Sequence, residues 1–190
     1  MHGANQLAFN PLVVGNVGNG IGLLLSPLLA LVALAVRLKL GSPVLFRQQR
    51  PGLRGKPFTL VKFRTMLDAR DSNGRPLPDA ERLPPFGRWL RATSLDELPE
   101  LWNVLKGEMS LVGPRPIVES EVGRYSDRFD LYTQVLPGIT GLWQVSGRNE
   151  TSYQERVSLD TYYVRNWSLW LDLYLLARTV WAVMWGKGAY

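Results

Sequence analysis

The chain has 190 residues, of which 46% are hydrophobic and 20% charged, and this balance indicates one folded domain and excludes an intrinsically disordered chain. It contains no cysteine, which excludes disulfides, thiolate metal sites and thiol catalysis. The single histidine is His2, close to a chain terminus, so histidine catalysis and histidine-clustered zinc sites are disfavoured.

The net charge of +6 is concentrated in one part of the chain. Residues 47–91 contain eleven Lys or Arg against four Asp or Glu, a net of +7 that exceeds the excess of the whole chain. A basic segment of this kind attracts phosphate, whether in nucleic acid, in anionic lipid headgroups or in a nucleotide.

The N-terminal part is uncharged up to residue 36, and residues 21–36 are almost purely apolar. With a weaker lead-in from Val13, the run reaches the roughly 20 residues needed to cross a bilayer. Ser26 and Pro27 interrupt it, because proline removes a helical hydrogen bond and a serine hydroxyl can satisfy the freed carbonyl. The pattern predicts either a kinked span or a helix-break-helix that re-enters and leaves the same leaflet. If the run spans the bilayer, the basic residues that follow place its C-terminal side in the cytoplasm, and a signal peptide is disfavoured because the basic n-region is missing.

Two strand-like runs follow, at residues 43–50 and 57–64, and the Pro-Gly turn between them predicts a β-hairpin. Alternation places Lys62 and Arg64 on one face of the second strand, where they are either a solvated strand end or part of a ligand site. Residues 68–85 are rich in Pro, Asp, Gly and Asn and predict a surface loop.

Residues 93–105 predict a short amphipathic helix with two adjacent carboxylates, Asp96 and Glu97, at its start. Ser94 and Glu97 have the spacing of a capping box, and Asp96 would favour the positive end of the helix dipole. From these residues alone, a simple helix start is the more common interpretation. The alternative is a site where a phosphorylated ligand meets a carboxylate and a divalent metal.

Arginines on both sides of the acidic pair favour the second interpretation. Arg88 and Arg91 precede it, and Arg115 follows in a Gly-Pro-Arg-Pro loop whose two prolines hold the backbone rigid. A preorganised arginine of this kind suits a phosphate contact.

The C-terminal part contains a glycine-rich loop, residues 136–148, that ends at Arg148 and lacks the spacing of a P-loop or a dinucleotide fingerprint. A helix that begins near residue 151 runs past Asp160 and Tyr163. The last helix, residues 167–185, is almost uncharged, and five of its aromatic rings share one stripe. This composition favours a membrane interface over a second transmembrane span.

Together these segments resemble the bacterial sugar transferase family, the monotopic phosphoglycosyl transferases. The matching motifs occur in family order and cover nearly all of the chain from residue 23 on. They are Ser26-Pro27 and residues 43–48, 62–66, 94–107, 110–116, 137–144 and 159–164.

The resemblance implies an α/β, mostly helical fold with two parts. Residues 1–40 would form an N-terminal segment with a re-entrant membrane helix-break-helix, and residues 41–190 a small catalytic domain on the membrane surface with amphipathic interfacial helices. The implied reaction moves a sugar 1-phosphate from a UDP-sugar to undecaprenyl phosphate, with Mg²⁺ as cofactor, at the cytoplasmic face of the bacterial inner membrane. A homodimer is compatible with it, and nucleic acid is not an expected partner.

The resemblance also implies roles for individual residues. Asp96 matches the family nucleophile and is the expected metal ligand, and Glu97 matches its dyad partner. The remaining polar residues are expected to bind substrate. The expected phosphate contacts are Lys62, Arg64, Arg88, Arg91 and Arg115, and the expected nucleotide-sugar contacts are Gln144, Arg148, Asp160 and Tyr163.

The chain departs from the family pattern at its N-terminus, where the usual basic residue and aspartate are replaced by Asn10, Asn16 and Asn19. Longer members carry extra transmembrane helices and a further domain, so the chain is expected to be either a minimal form or a catalytic fragment. Its ending resembles members that use glucose or galactose phosphate, although the sugar itself is not readable from the residues. A different class of protein stays open as an alternative: a non-enzymatic, membrane-anchored adaptor whose basic segment binds anionic lipid or nucleic acid.

Overall fold

The computed structural model describes residues 11–147 and 151–185, with side chains for residues 25–147 and 151–182. Within these residues the helices are α1 (Pro11–Leu40), α2 (Asp79–Arg82), α3 (Pro85–Ala92), α4 (Glu100–Leu105), α5 (Val122–Tyr125), α6 (Phe129–Tyr132), α7 (Leu142–Val145), α8 (Tyr153–Arg165) and α9 (Leu169–Trp185). The strands are β1 (Leu45–Pro51), β2 (Pro57–Phe63), β3 (Ser110–Val112) and β4 (Gly138–Thr140). The expected α/β, mostly helical fold is confirmed.

Helix α1 is continuous, with Pro27 inside it, whereas the family resemblance implies a helix-break-helix at this position. Val32, Val36 and Leu40 recur every four residues and pack against Phe63 and Leu90 in one core cluster. Several leucines on other sides of α1 are exposed to solvent. In the described part of the chain, no helix is both long enough and apolar enough to span a membrane. The re-entrant geometry at Ser26-Pro27 stays a prediction.

The predicted β-hairpin is confirmed: β1 and β2 pair in antiparallel register, with Leu45 opposite Phe63. Along β2, Phe58 and Leu60 are buried, and Lys62 follows them on the same face. The hairpin core therefore determines where the Lys62 ammonium lies. The 68–85 segment is largely exposed, as expected of a surface loop, and contains the short helix α2.

Asn103, which is fully buried, joins α4 to the hairpin. Its side-chain oxygen accepts a hydrogen bond from the backbone N–H of Val61 (3.2 Å), and its side-chain nitrogen donates to the carbonyl of Thr59 (2.7 Å) and to Glu108 (2.7 Å). A buried amide with both ends bonded holds its two elements in one arrangement. This contact sets the start of α4 against Lys62.

The parallel pair β3–β4 brings two glycine-containing loops into backbone contact. A Cβ atom at Gly138 would lie 2.1 Å from the backbone nitrogen of Gly113, and one at Gly141 would lie 2.1 Å from the carbonyl oxygen of Gly113. Only glycine allows the two chains to approach this closely. The loop that carries Arg115 is therefore held directly against the glycine-rich loop.

Replacing Gly138 with Ala is expected to destabilise the protein by about 1–3 kcal/mol, because the backbone must move to admit the methyl group. Gly123→Ala is the matched control, since no atom outside its own helix backbone lies within 4 Å of a Cβ at that position. Denaturation midpoints of the two variants test the difference. Equal midpoints would contradict the close approach of the two loops.

Helix α9 packs Leu175 into a core cluster with Val112 and Tyr163. Trp170, at 80% exposure, lies on its outer side together with exposed aromatic residues one and three turns further on, Tyr174 and Trp181. Of the other two members of the predicted stripe, Trp167 is half-buried and donates its indole N–H to Asp172 (3.1 Å), and the side chain of Trp185 is outside the described set. The exposed part of the stripe leaves the interface interpretation of α9 as a prediction.

Candidate active site

A cavity of about 840 Å³ opens between the hairpin, the segment after β2, the end of α3 and the loop after β3. Six of its lining residues are basic and four are acidic, so the cavity has a net positive lining that suits an anion. The basic ones are Arg50, Lys62, Arg64, Arg82, Arg91 and Arg115, and the acidic ones are Asp68, Asp79, Asp96 and Glu97.

The acidic pair lies in a 3-10 turn, Leu95–Glu97, and α4 begins at Glu100, five residues after the helix start that a Ser94 cap predicts. The predicted capping box is wrong. Ser94 has φ 55° and ψ 17°, in the left-handed region, and its side chain caps nothing. Glu97, which would complete the box, is directed to the half-buried cations Lys62 and Arg115 instead.

Glu97 is an ionised anchor between two cations. Its Oε1 atom lies 2.9 Å from Nζ of Lys62 and 2.9 Å from Nη1 of Arg115. Burial opposes its ionisation, but the charges of Arg115 and Lys62 outweigh this effect and hold the pKa of Glu97 below its usual range. This carboxylate therefore orients the two cations at the cavity wall.

Asp96 is buried to 8% exposure and differs from its neighbour in having no ion-pair partner within residues 25–147 and 151–182. Among the residues whose side chains are described, none donates a hydrogen bond to its carboxylate. Burial, followed by the charge of Glu97, raises the pKa of Asp96 to about 6, against the opposing effect of Lys62, Arg115 and Arg91. At neutral pH the Asp96 carboxylate is therefore mostly ionised, and it lines the cavity, where a ligand can reach it.

Lys62 holds a second carboxylate that the sequence analysis missed. Oε1 of Glu100 lies 2.8 Å from its Nζ atom, and Glu100 is buried to 2% exposure. The sequence did contain a signal that Glu100 belongs to the site. Glu100 follows Glu97 by three residues, a spacing that brings two side chains to one side of a helical turn.

The backbone beside Arg115 is also anchored by residues that the sequence analysis did not assign to the site. The hydroxyl of Tyr132 donates to the carbonyl of Arg115 (3.1 Å) and accepts from the N–H of Ile117 (3.3 Å). Arg50 donates to the carbonyl of Pro116 (3.0 Å). These contacts support the preorganised arginine that the two prolines of the loop predict.

The other predicted phosphate contacts separate into two groups. Arg64 and Arg91 line the cavity, although Arg64 also donates to two backbone carbonyls and Arg91 to the hydroxyl of Thr65 (3.1 Å). Arg88 is exposed, does not line the cavity and donates to the carbonyl of Leu83 (3.3 Å). The structure thus brings Arg64 and Arg91, but not Arg88, to the acidic pair.

The predicted nucleotide-sugar contacts are only partly brought to the cavity. Gln144 is part of its lining. Asp160 and Tyr163 are not: Asp160 accepts a hydrogen bond from the hydroxyl of Tyr125 (2.6 Å), and the hydroxyl of Tyr163 donates to Asp172 (2.7 Å), both beneath the surface. Arg148 lies outside the described residues.

The donor set limits the kind of metal site that fits. In the described part of the chain, no three His, Cys, Asp or Glu side chains are grouped so that they could hold a metal ion. Mg²⁺ characteristically takes one or two carboxylates from the protein and further oxygens from substrate phosphates. The uncommitted Asp96 carboxylate fits a Mg²⁺ ion shared with a diphosphate in this way.

Comparison with known proteins agrees with the motifs and the fold. A protein-family model described as bacterial sugar transferase matches residues 14–186. The chain belongs to the bacterial sugar transferase family. The expectation of a transferase enzyme is thereby confirmed, and the non-enzymatic adaptor is disfavoured.

Several members of the bacterial sugar transferase family are similar over most of this chain. An uncharacterized sugar transferase EpsL of Bacillus subtilis is 54% identical over 153 residues, which is 80% of this chain and 76% of the relative. The undecaprenyl-phosphate galactose phosphotransferase of Salmonella typhimurium is 47% identical over 79% of this chain and 35% of its own length. The UDP-glucose:undecaprenyl-phosphate glucose-1-phosphate transferase of Caulobacter vibrioides is 45% identical over 88% of this chain and 66% of its own length. The chain therefore spans about a third of the Salmonella relative.

Proposed function

We propose that the chain transfers a sugar 1-phosphate from a UDP-sugar, UDP-glucose or UDP-galactose, to undecaprenyl phosphate, through a covalent intermediate on Asp96. The observation that carries the proposal is the Asp96 carboxylate. It is buried, ionised near neutral pH and without an ion-pair partner among the described side chains, in a cavity whose lining has more cations than anions. The activities after which the Salmonella and Caulobacter relatives are named support the substrate class.

In the first step, an oxygen of Asp96 attacks the phosphorus bonded to the anomeric oxygen of the sugar. The bond from that phosphorus to the oxygen of the UMP moiety breaks, and UMP leaves with the electron pair. The carboxylate and each negative charge of the diphosphate repel each other by about 4 kcal/mol at 4 Å and an effective dielectric near 20. Lys62, Arg91 and Arg115 offset this repulsion, and they stabilise the charge that develops on the phosphoryl oxygens.

In the second step, an oxygen of undecaprenyl phosphate attacks the same phosphorus and releases the Asp96 carboxylate. The lipid phosphate is already ionised near neutral pH, so this step needs no strong base. Glu97, whose pKa is lowered by its two cations, therefore acts by positioning Lys62 and Arg115 rather than by accepting a proton.

Asp96 would hold Mg²⁺ together with substrate phosphate oxygens, and the ion would supply neutralisation of the phosphate charge. The cations of the chain bind and orient the diphosphate, and the acidic turn holds Asp96 at the cavity wall.

A site at the membrane surface is part of the proposal, because the acceptor is a lipid. Exposed leucines on α1 and exposed aromatic residues on α9 support it. Large apolar side chains on a helix surface and tryptophan rings at headgroup depth are both typical of proteins that lie in a bilayer interface. The cytoplasmic face of the bacterial inner membrane is the proposed location.

A UMP-release assay across a panel of UDP-sugars tests the function. We expect UMP release to require Mg²⁺ and to continue beyond the first turnover only when undecaprenyl phosphate is present. UDP-glucose or UDP-galactose should be the preferred donor. Absence of UMP release with every donor, from protein that is folded and embedded in detergent or lipid, would refute the proposed function.

The pH profile of the first step reports the state of Asp96. Because its raised pKa is about 6, the nucleophile is protonated below that pH, and the rate is expected to fall about tenfold for each pH unit below 6. The rate of single-turnover UMP release between pH 4.5 and 8 measures this fall on the acidic side of the pH profile. A rate that stays level from pH 7 down to pH 5 would contradict a carboxylate nucleophile with this pKa.

A further inference from the structure

Glu100 is a buried carboxylate behind Lys62, on the side away from the cavity. Its Oε1 atom lies 2.8 Å from Nζ of Lys62. In the part of the chain that the structure describes, the cavity lining includes Lys62 but not Glu100. A ligand in the cavity can therefore contact Lys62 while Glu100 stays beyond its reach.

Glu100 depends on Lys62 for its counter-charge. Within residues 25–147 and 151–182, Lys62 is the only cation within 4 Å of its carboxylate oxygens. The backbone of α4 cannot follow a moving Lys62, because Asn103 fixes this helix to β2 through Val61 and Thr59. If the ammonium turns towards a diphosphate in the cavity, the Glu100 carboxylate is left in place and unpaired.

A buried carboxylate without a partner does not stay charged. Removing the counter-ion of a buried group costs several kcal/mol, and the group lowers this cost by taking up a proton. Glu97 does not face the same situation, because Arg115 remains bound to it when Lys62 leaves.

We propose that Glu100 is a positioning residue that holds Lys62 in the substrate-free site and takes up one proton from solvent when Lys62 turns to the diphosphate of a UDP-sugar. An O–H bond forms on the Glu100 carboxyl group, the buffer supplies the proton, and Lys62 remains an ammonium. This inference rests on the proposed function, since it requires a diphosphate ligand in the cavity.

The charges around Glu100 determine the pH range in which its carboxylate takes up a proton on ligand binding. They are Arg50 on β1, Lys62 on β2, Glu97 in the 3-10 turn and Arg115 after β3, while α1, which packs against α4, adds only the exposed Arg37 and Lys39. Burial raises the pKa of Glu100 to about 7, with Lys62 the strongest of the charges that lower it. Loss of Lys62 raises this pKa further. Uptake is therefore expected at pH 8, where Glu100 starts ionised, and not at pH 6, where it already carries the proton.

Calorimetric titration with UDP-glucose and Mg²⁺ tests the proposal on the full chain in detergent. The Asp96→Asn background prevents the covalent step and removes the titration of Asp96 itself. The titration is repeated in buffers of different ionisation enthalpy. The slope of the observed binding enthalpy against the ionisation enthalpy of the buffer gives the number of protons taken up. We expect about one proton at pH 8 and close to none at pH 6, and a Kd that rises about tenfold between pH 7.5 and 8.5.

Adding Glu100→Gln to this background is expected to abolish the proton uptake and to flatten the pH dependence of Kd. Adding Glu108→Gln instead is the matched control, because Glu108 lies close to α4 but binds the Asn103 amide, and its loss should leave the uptake unchanged. A purely structural role of Glu100 would alter stability without altering the proton count.

The outcomes separate this inference from the function on which it rests. If neither UDP-glucose nor UDP-galactose binds to the native chain, both the function and the inference are refuted. Binding without proton uptake at pH 8 in the Asp96→Asn protein overturns the inference alone, whether or not the glutamine variant folds. Uptake that persists in Glu100→Gln also overturns it, since another group would then be the acceptor.

Discussion

Asp96→Asn is expected to abolish sugar-phosphate transfer, with a loss of about 10⁴-fold or more in kcat, because an amide cannot act as the nucleophile in the proposed covalent step. The isosteric change keeps the 3-10 turn and the Lys62–Glu97–Arg115 contacts, so the loss reports the chemistry and not the fold. Incubation with UDP-glucose labelled in its sugar, followed by mass spectrometry of the intact chain, should detect a hexose phosphate adduct on the native protein and none on the variant.

Asp127→Asn is the matched control for this experiment, because Asp127 is exposed and does not line the cavity. It should retain both turnover and the adduct. Full turnover by Asp96→Asn with UDP-sugar and undecaprenyl phosphate would exclude the covalent mechanism. Loss of turnover with the adduct still present would place the nucleophile elsewhere.

Arg115→Met is expected to have the second largest effect, on stability and on activity together. It removes one of the two cations on the largely buried Glu97 carboxylate, and leaving a buried charge short of a partner costs about 3 kcal/mol, towards the low end of the usual range because Lys62 remains. Loss of a cation from the phosphate site should lower kcat a further 10²- to 10³-fold, an order-of-magnitude figure for one electrostatic contact in an active site. Chemical denaturation and UMP release measure the two effects.

Arg82→Met provides the comparison for stability. Arg82 lines the same cavity, but its ion pair with Asp79 is longer, at 3.5 Å, and the Asp79 side chain is exposed. Surface pairs of this kind contribute about 0–1 kcal/mol. Equal losses of stability in Arg115→Met and Arg82→Met would show that the Arg115–Glu97 contact contributes no more to the free energy of unfolding than a surface ion pair.

The β-hairpin could be predicted from sequence because its determinants are local. Alternating apolar residues and a Pro-Gly turn lie within some twenty residues, and the observed register pairs Leu45 with Phe63. The aromatic stripe of α9 could be predicted for a similar reason, because the helical period alone places its residues on one side of the helix. Trp170, Tyr174 and Trp181 are all exposed, as this period predicts.

The acidic turn could not be predicted in the same way, because its geometry depends on distant partners. Ser94 and Glu97 match the capping-box pattern, but Glu97 pairs with Lys62, 35 positions earlier, and with Arg115, 18 positions later. Charge-assisted bonds to two half-buried cations are stronger than a bond to one backbone N–H. Local pattern therefore located the acidic pair correctly and misjudged its conformation.

The motifs likewise did not distinguish residues that line the cavity from residues beneath it. Asp160 and Tyr163 belong to a matching segment, yet both are 2% exposed and bind other side chains. Tyr132 was missed because nothing in its immediate sequence marks burial, and Glu100 was missed although its three-residue spacing from Glu97 places it near the acidic pair. Their parts in the site come from tertiary contacts with Lys62 and with the backbone around Arg115.

The burial of Asp96 has a consequence for anyone who seeks a heat-resistant version of this enzyme. Its pKa is raised from 3.8 to about 6, so the folded state carries a penalty of about 3 kcal/mol above pH 6 that disappears below about pH 4. A library selected for thermal tolerance at neutral pH would therefore enrich chains in which this acid is replaced by a neutral residue. On the proposed mechanism such a screen would yield more heat-resistant protein that lacks its nucleophile, unless turnover is selected at the same time.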